Sequence, residues 1–379
     1  MMHVVLAGGG TAGHTSPLIA TAQRLTARHP EVDVVAIGTR KGLETRVVPE
    51  AGLALELIDP VPLPRGLRPE LARVPLRLAR AVSQARRVLR THRADVVVGF
   101  GGYVATPVYL AARLSRIPIV VHEQNAIPGV ANRLGARLTS RVAVTFPGTP
   151  LPHARVIGLP LRDAITGLDR RALAPAARTE FGLEEGLPTL LVSGGSQGAR
   201  SINTAVEGAY PELIGRGIQV LHVLGPKNFR TDMRPVVDQA TGASYRPVAY
   251  VDAMEKAYAV ADLMLGRSGA GTVMETIAVG LPTVLVPLPF GNGEQARNAD
   301  ALVAAGGAIR LPDADCGAER LVELIAPLIT DPDRLAAMRT AGRGMVPGNA
   351  ADLLCDLIEA AVTPGPAAPR PVAAAGEAV

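Results

Sequence analysis

The sequence predicts an α/β protein made of two Rossmann-like, doubly wound parallel sheets, and three features predict it. Short runs rich in Val, Ile and Leu alternate with helix-length amphipathic stretches along nearly all of the 379 residues. These runs lack the polar alternation of a half-exposed strand, so both faces of each sheet must be covered by helices. A strand–glycine turn–helix unit also occurs twice. Val4-Val5-Leu6-Ala7 leads into Gly8-Gly9-Gly10-Thr11-Ala12-Gly13, and Leu190-Leu191-Val192-Ser193 leads into Gly194-Gly195-Ser196-Gln197-Gly198-Ala199.

Taken in order, the first half offers strands at 3–7, 32–37, 55–59, 95–100, 117–122, 141–146 and 155–158. The second half offers 189–193, 218–224, 246–251, 262–266, 283–287 and 308–311. A chain of this length exceeds one ordinary core and suits two domains. The junction falls near Gly158-Leu159-Pro160-Leu161-Arg162, which gives an N-terminal domain over 1–161 and a C-terminal domain over 162–345. A helix over 346–362 is expected to pack back on the N-terminal domain. The Pro- and Ala-rich stretch 363–379 is expected to be disordered. In paired sheets of this kind the active site lies between the domains, at the carboxyl ends of the strands.

Composition narrows the function classes. Aromatic residues are 3% of the chain and Trp is absent, which argues against stacking on bases. Cys316 and Cys355 are the only cysteines and have no metal-type spacing, so a reduced compartment is expected. No signal peptide is read at the start, and no apolar run reaches the roughly 18 residues of a membrane span. The basicity is local. Residues 65–93 hold nine arginines against Glu70 alone, a balance of +8 in a chain of net charge +5, so the remainder sums to −3. A helix from about 76 to 92 would show an apolar stripe of Leu78, Val82, Ala85 and Leu89. Arg77, Arg80, Gln84 and Arg87 would form another face.

Five polar clusters sit at strand ends. The first glycine turn frees backbone N–H groups at a helix start, and His14 opens that helix. The second turn repeats this cradle with the Ser196 hydroxyl added, a fit for a diphosphate. After the strand 262–266 comes Arg267-Ser268-Gly269-Ala270-Gly271-Thr272-Val273-Met274-Glu275, where the Glu275 carboxylate is placed to accept two hydroxyls of a ribose. Gln295 follows the strand 283–287, and His122-Glu123-Gln124-Asn125 follows 117–122; their amides suit sugar hydroxyls, although either cluster is also read as a helix cap. Asp313-Ala314-Asp315 has the text of a metal-binding Asp-x-Asp but is read as a helix-capping turn.

Together these blocks closely resemble the MurG family of UDP-N-acetylglucosamine:lipid I glycosyltransferases, through HEQNAIPGVANR, GGSQGA and RSGAGTVMET above all. Matching stretches cover 3–18, 98–107, 119–133, 158–162, 192–199, 222–227, 250–254 and 267–298. The resemblance implies a GT-B fold with a central cleft, an N-terminal acceptor domain and a C-terminal UDP-sugar domain. It implies an inverting, metal-independent transfer without a cofactor. Thr11, Ala12 and Gly13 would line the cleft, with His14 as general base. Asn125 and Gln295 would touch N-acetylglucosamine, Arg162 and Ser196 would hold the diphosphate region, and Val251 would sit by uracil. Ala270, Gly271, Thr272, Val273, Met274 and Glu275 would wrap ribose and phosphate. Two departures stand out. The family's paired glycines read Ala12-Gly13 here, which needs φ < 0 at Ala12, and Thr15-Ser16-Pro17 follows His14.

The expected partners are therefore UDP-N-acetylglucosamine, the undecaprenyl-linked acceptor lipid I and, through 65–93, the anionic surface of the cell membrane at its cytoplasmic face. Nucleic acid is not expected. Two other readings remain at this level: a same-fold transferase or epimerase with another acceptor, and a non-catalytic UDP-sugar-binding scaffold.

Overall fold

A computed structural model describes residues 1–40, 42–61, 74–345 and 348–363. It contains two seven-stranded sheets. The first comprises β1 (His3–Gly8), β2 (Asp33–Thr39), β3 (Ala54–Ile58), β4 (Val96–Gly101), β5 (Ile119–Glu123), β6 (Val142–Val144) and β7 (Ala154–Val156). All its pairings are parallel, in the order β3-β2-β1-β4-β5-β6-β7. The second comprises β8 (Thr189–Ser193), β9 (Gln219–Val223), β10 (Val236–Val237), β11 (Ser244–Val248), β12 (Leu263–Gly266), β13 (Thr283–Leu285) and β14 (Ala308–Arg310). Its order is β10-β11-β9-β8-β12-β13-β14, parallel except at the β10 edge.

The core explains the sequence pattern. Alternate residues of each central strand enter opposite apolar layers: Val4 and Leu6 of β1 lie on one side, Val5 and Ala7 on the other. In β8, Leu190 and Val192 divide from Leu191 in the same way. Each strand is apolar throughout because each side chain meets helices. The C-terminal helix Ala350–Val362 places Leu354, Cys355 and Ile358 in a layer formed with β1 and β4. Arg24 and Arg28, on the helix Ala12–Arg28, bind Asp352 at 2.7 Å, which clamps the chain's last described helix to its first.

Each predicted strand is present, with no end moved by more than three residues. The run 246–251 shifts to Ser244–Val248 and includes Pro247, which pairs with His222 of β9. β10 reaches only Tyr245 and Ser244, so no strand covers Pro247 on the other side and its missing N–H costs no ladder bond. The sequence reading had no strand at β10, two partly exposed valines too short to carry a period. Of the basic segment, 65–73 lies outside the described residues, as does 364–379 of the tail. The rest of the basic segment forms a helix over Val74–Thr91.

That helix is packed on the core and solvated on its other side. Ala85 and Leu89 are buried and Leu78 and Val82 half-buried, so the apolar stripe faces the core rather than an open edge. Gln84 is not on a free polar face either, because it accepts from the Asp59 N–H at 2.8 Å and donates to the Asp59 carboxylate at 3.1 Å. Arg80 pairs with the same carboxylate at 3.0 Å. Leu76, 75% exposed, is the apolar residue that faces outward among Arg77, Arg87 and Arg90.

Candidate active site

Both sheets reverse strand order beside their first strand, at β1/β4 and at β8/β12. The carboxyl ends at such switch points form crevices, and here they carry the clusters singled out in the sequence. Across the cleft the helices Ala12–Arg28 and Ala270–Ala278 come into contact.

At the first switch point, Gly10 takes φ +92° before Thr11 starts the helix. Thr11 and Gly13 are exposed, and Ala12 is half-buried with ordinary negative φ, so the departure at Ala12 strains nothing. His14 is half-buried, its Nδ1 3.0 Å from Thr11 Oγ1. Its ring lies against Gly101, where a Cβ would stand 3.2 Å from His14 Cδ2. Burial lowers the His14 pKa below its ordinary value, opposed by the Glu44 carboxylate and the Gly9 backbone. The imidazole is thus a free base at neutral pH.

Glu44 is a site residue that the sequence reading missed. Fully buried under the turn, it accepts from Gly10 N–H at 2.8 Å, from Thr39 N–H at 2.8 Å and from Thr39 Oγ1 at 2.9 Å. A Cβ on Gly9 would stand 2.4 Å from Glu44 Oε1. The glycine at that position is therefore required by the carboxylate beneath it. Nothing local marks Glu44; only the fold brings it to Gly10.

The loop after β5 is built on another buried carboxylate. Glu123 accepts from Asn125 N–H at 2.9 Å, Gly129 N–H at 3.0 Å and Asn132 Nδ2 at 3.0 Å. Burial raises its pKa, and these donors oppose the rise. His122 points inward to the Gly158 carbonyl at 2.9 Å, and burial drops its pKa to about 4. Glu123 and His122 organise the loop, and Asn125 is left half-buried at its edge.

In the second sheet, Gly195 at φ +87° and Gly198 at φ +72° shape the turn around half-buried Ser196, before the helix Arg200–Gly215. The helix Ala270–Ala278 starts after Gly269 and holds Glu275 in its second turn, with Ala270, Val273 and Met274 buried and Gly271 and Thr272 half-buried. Tyr258, which the sequence reading did not single out, donates to Glu275 Oε2 at 2.6 Å. Burial raises the Glu275 pKa, while the Tyr258 hydrogen bond and Arg162 oppose the rise. Arg162 lies 3.8 Å from Glu255 in the same cluster, and Val251 is buried just after β11. Gln295, in the first turn of the helix Glu294–Ala304, accepts from Leu288 N–H at 3.1 Å.

The Asp313-Ala314-Asp315 segment is a single turn of 3-10 helix, and it caps nothing: the next helix starts after Gly317, and Asp313 instead pairs with Arg267 Nη1 at 2.5 Å and accepts from Ser201 Oγ at 2.7 Å. Arg267 also donates to the carbonyls of Val286 and Pro287, both at 3.2 Å. Asp313 is therefore the counter-ion of an arginine that ties the turn after β12 to the strand end before Gln295.

The glycosyltransferase family 28 N-terminal domain matches residues 4–144, and the family's C-terminal domain matches 189–351. The UDP-N-acetylglucosamine--N-acetylmuramyl-(pentapeptide) pyrophosphoryl-undecaprenol N-acetylglucosamine transferase of Cutibacterium acnes is 55% identical over 96% of this chain and 98% of its own length. The enzyme of the same name from a Nocardioides species is 53% identical over 94% of this chain and 97% of its own. Among solved structures, Acinetobacter baumannii MurG superposes with a TM-score of 0.73 at 28% identity, covering 95% of this chain and all (100%) of that one. UDP-GlcNAc 2-epimerase from Neisseria meningitidis shares the fold alone, with a TM-score of 0.66 at 14% identity over 95% of this chain and 100% of its own. With its two parallel sheets facing one cleft in the GT-B arrangement, the chain belongs to glycosyltransferase family 28 and, within it, to the MurG transferases.

Proposed function

We propose that this chain transfers N-acetylglucosamine from UDP-N-acetylglucosamine to the 4-hydroxyl of the muramyl sugar in undecaprenyl-pyrophosphoryl-muramyl-pentapeptide, lipid I, forming lipid II for peptidoglycan. The observation that carries this reading is the end-to-end match, 55% identical over 96% of the chain, to a relative with that activity in its name. The geometry supplies the parts.

His14 takes the proton from the acceptor hydroxyl as its oxygen attacks C1 of the sugar, and UDP leaves from the opposite face with inversion. Free of its proton at neutral pH, the half-buried imidazole suits that role. Thr11 holds the ring through Nδ1. Thr11, Ala12 and Gly13 line the acceptor side. The negative charge that grows on the diphosphate is met by the backbone cradle around Ser196, by the start of the helix Ala270–Ala278 and by Arg162. Val251 packs by the uracil. The Glu275 carboxylate, held by Tyr258, accepts the ribose hydroxyls, and residues 270–274 close around ribose and phosphate. Asn125 and Gln295 contact the N-acetylglucosamine. No helix among the described residues is long and apolar enough to cross a membrane. Access to the lipid acceptor is by peripheral attachment of the N-terminal domain to the cytoplasmic membrane face, through the arginines of 65–93.

Incubation of the purified protein with labelled UDP-N-acetylglucosamine and lipid I, with and without EDTA, tests the reaction. Lipid II and UDP are expected at equal rates in both. Absence of lipid II defeats the reading, and turnover that EDTA abolishes and magnesium restores defeats the metal-independent form of it.

A further inference from the structure

The amide side chains assigned to the sugar are not free to turn, and backbone groups of known polarity fix their orientation. Ala126 N–H donates at 2.9 Å to one terminal atom of Asn298, so that atom is Oδ1. The other, Nδ2, donates to the Ser268 carbonyl at 3.3 Å and reaches Asn125 at 3.1 Å. An NH2 group offers only protons, so the Asn125 atom it meets is Oδ1. The Glu123 carboxylate lies beside the NH2 of Asn125 and would repel an oxygen placed there. Asn298 is fully buried, which makes any reversal of this chain of bonds costly. Gln295 is fixed by the same logic, since Leu288 N–H at 3.1 Å occupies its Oε1.

We propose that Asn298 and the Leu288 amide set Asn125 and Gln295 as hydrogen-bond donors. The sugar end of the cleft then becomes a donor-only surface that selects sugars presenting oxygen acceptors and turns away those presenting an ammonium. Asn298 acts as a positioning residue, and because it lies on the helix Glu294–Ala304 while Asn125 follows β5, the setting is made across the two domains. This inference rests on the reading above that Asn125 and Gln295 touch the donor sugar. Selectivity arises by exclusion as much as by attraction, because an ammonium facing two NH2 groups finds no partner.

The test compares kcat/KM for UDP-N-acetylglucosamine, UDP-glucosamine and the 3-, 4- and 6-deoxyfluoro analogues of UDP-N-acetylglucosamine, whose fluorine accepts but cannot donate. In Asn298→Asp the side chain still accepts from Ala126 N–H but no longer donates to Asn125. The new carboxylate repels the Asn125 oxygen, so the side chain loses the bond that fixes it and no longer holds its NH2 toward the sugar. Asn125→Asp shows an oxygen directly and serves if Asn298→Asp does not melt like a folded protein. Wild-type protein is expected to disfavour UDP-glucosamine by tenfold or more. In either variant at least one analogue should change its ratio to the parent by about tenfold, the weight of one neutral hydrogen bond, with fluorinated sugars losing and UDP-glucosamine gaining. Unchanged ratios in a folded variant, or a wild type indifferent to UDP-glucosamine, overturn the inference alone. A wild type that does not use UDP-N-acetylglucosamine overturns the functional reading with it.

Discussion

His14 owes its proposed chemistry to its surroundings, and they have a measurable consequence. Burial lowers its pKa, Glu44 pulls the value back, and Thr11 orients the ring. A base whose pKa lies below 6.5 stays unprotonated through neutral pH, so activity governed by it is lost only as pH falls through that lowered value. We therefore expect the acid limb of kcat/KM below pH 6.5. His14→Ala should lower kcat by about 10²–10⁴ and abolish that limb, while UDP affinity measured by calorimetry stays within a few-fold of wild type. Near-normal turnover in His14→Ala would remove it as the base. His14 and Ser196 were legible in the sequence because each adjoins a glycine turn, where the local pattern states the local geometry. Glu44, Tyr258 and Asn298 were not, because each acts on a partner distant in sequence. The separations are 34 residues for Glu44 and Gly10, 17 for Tyr258 and Glu275 and 173 for Asn298 and Asn125. No periodicity reports a contact of that kind.

At the scale of elements, the strands were legible because burial on both faces leaves no room for polar residues, and a run of Val and Leu then has one reading. Helix faces were less legible. The stripe of Leu78, Val82, Ala85 and Leu89 has the helical period whether it meets a core or a membrane, and only the packed helix Ala105–Leu114 and the Asp59 contacts decide in favour of the core. The first glycine turn is an element of another kind, a loop whose shape is held from below by Glu44. Gln at that position puts an NH2 where the carboxylate received N–H and O–H donors, leaving at least one buried donor unpaired. Glu44→Gln should cost about 1–3 kcal/mol of stability, read as a lower urea midpoint at unchanged m value. Since the turn carries Thr11 and His14, kcat should fall more than the affinity for UDP, whose proposed site lies mainly on the other domain. Loss of UDP affinity with kcat intact would show that the turn belongs to the nucleotide instead.

Across the whole molecule, the polar contacts between the two domains among the described residues include Asn298 with the loop after β5 and the Arg46 guanidinium 5.3 Å from the ring centre of Tyr250. The clamp of Arg24 and Arg28 on Asp352 ties the last described helix back to the N-terminal sheet, which carries the proposed acceptor half of the cleft and the described part of the basic segment. The charge distribution suits that surface to the proposed membrane attachment. A chain of net charge +5 that concentrates +8 in 65–93 directs its electrostatic attraction for anions to that segment. With the apolar stripe turned inward, attachment cannot come from burying a helix face in lipid. The proposed attachment rests instead on attraction between exposed arginines and anionic headgroups, helped by outward-facing Leu76. Each basic residue near such a surface contributes about 1 kcal/mol, and the effect decays within a Debye length. Arg80 contributes less than its neighbours because Asp59 already compensates it. Reversal of Arg77, Arg87 and Arg90 to Glu should therefore reduce partitioning onto phosphatidylglycerol vesicles by 10²-fold or more, as measured by sedimentation at low salt. Raising the salt should erase the difference between variant and wild type. Turnover on a water-soluble lipid I analogue should be untouched, since these side chains lie on the outer face of the helix Val74–Thr91. Partitioning that survives the triple reversal would mean that apolar contacts, not this arginine surface, bring the enzyme to its acceptor.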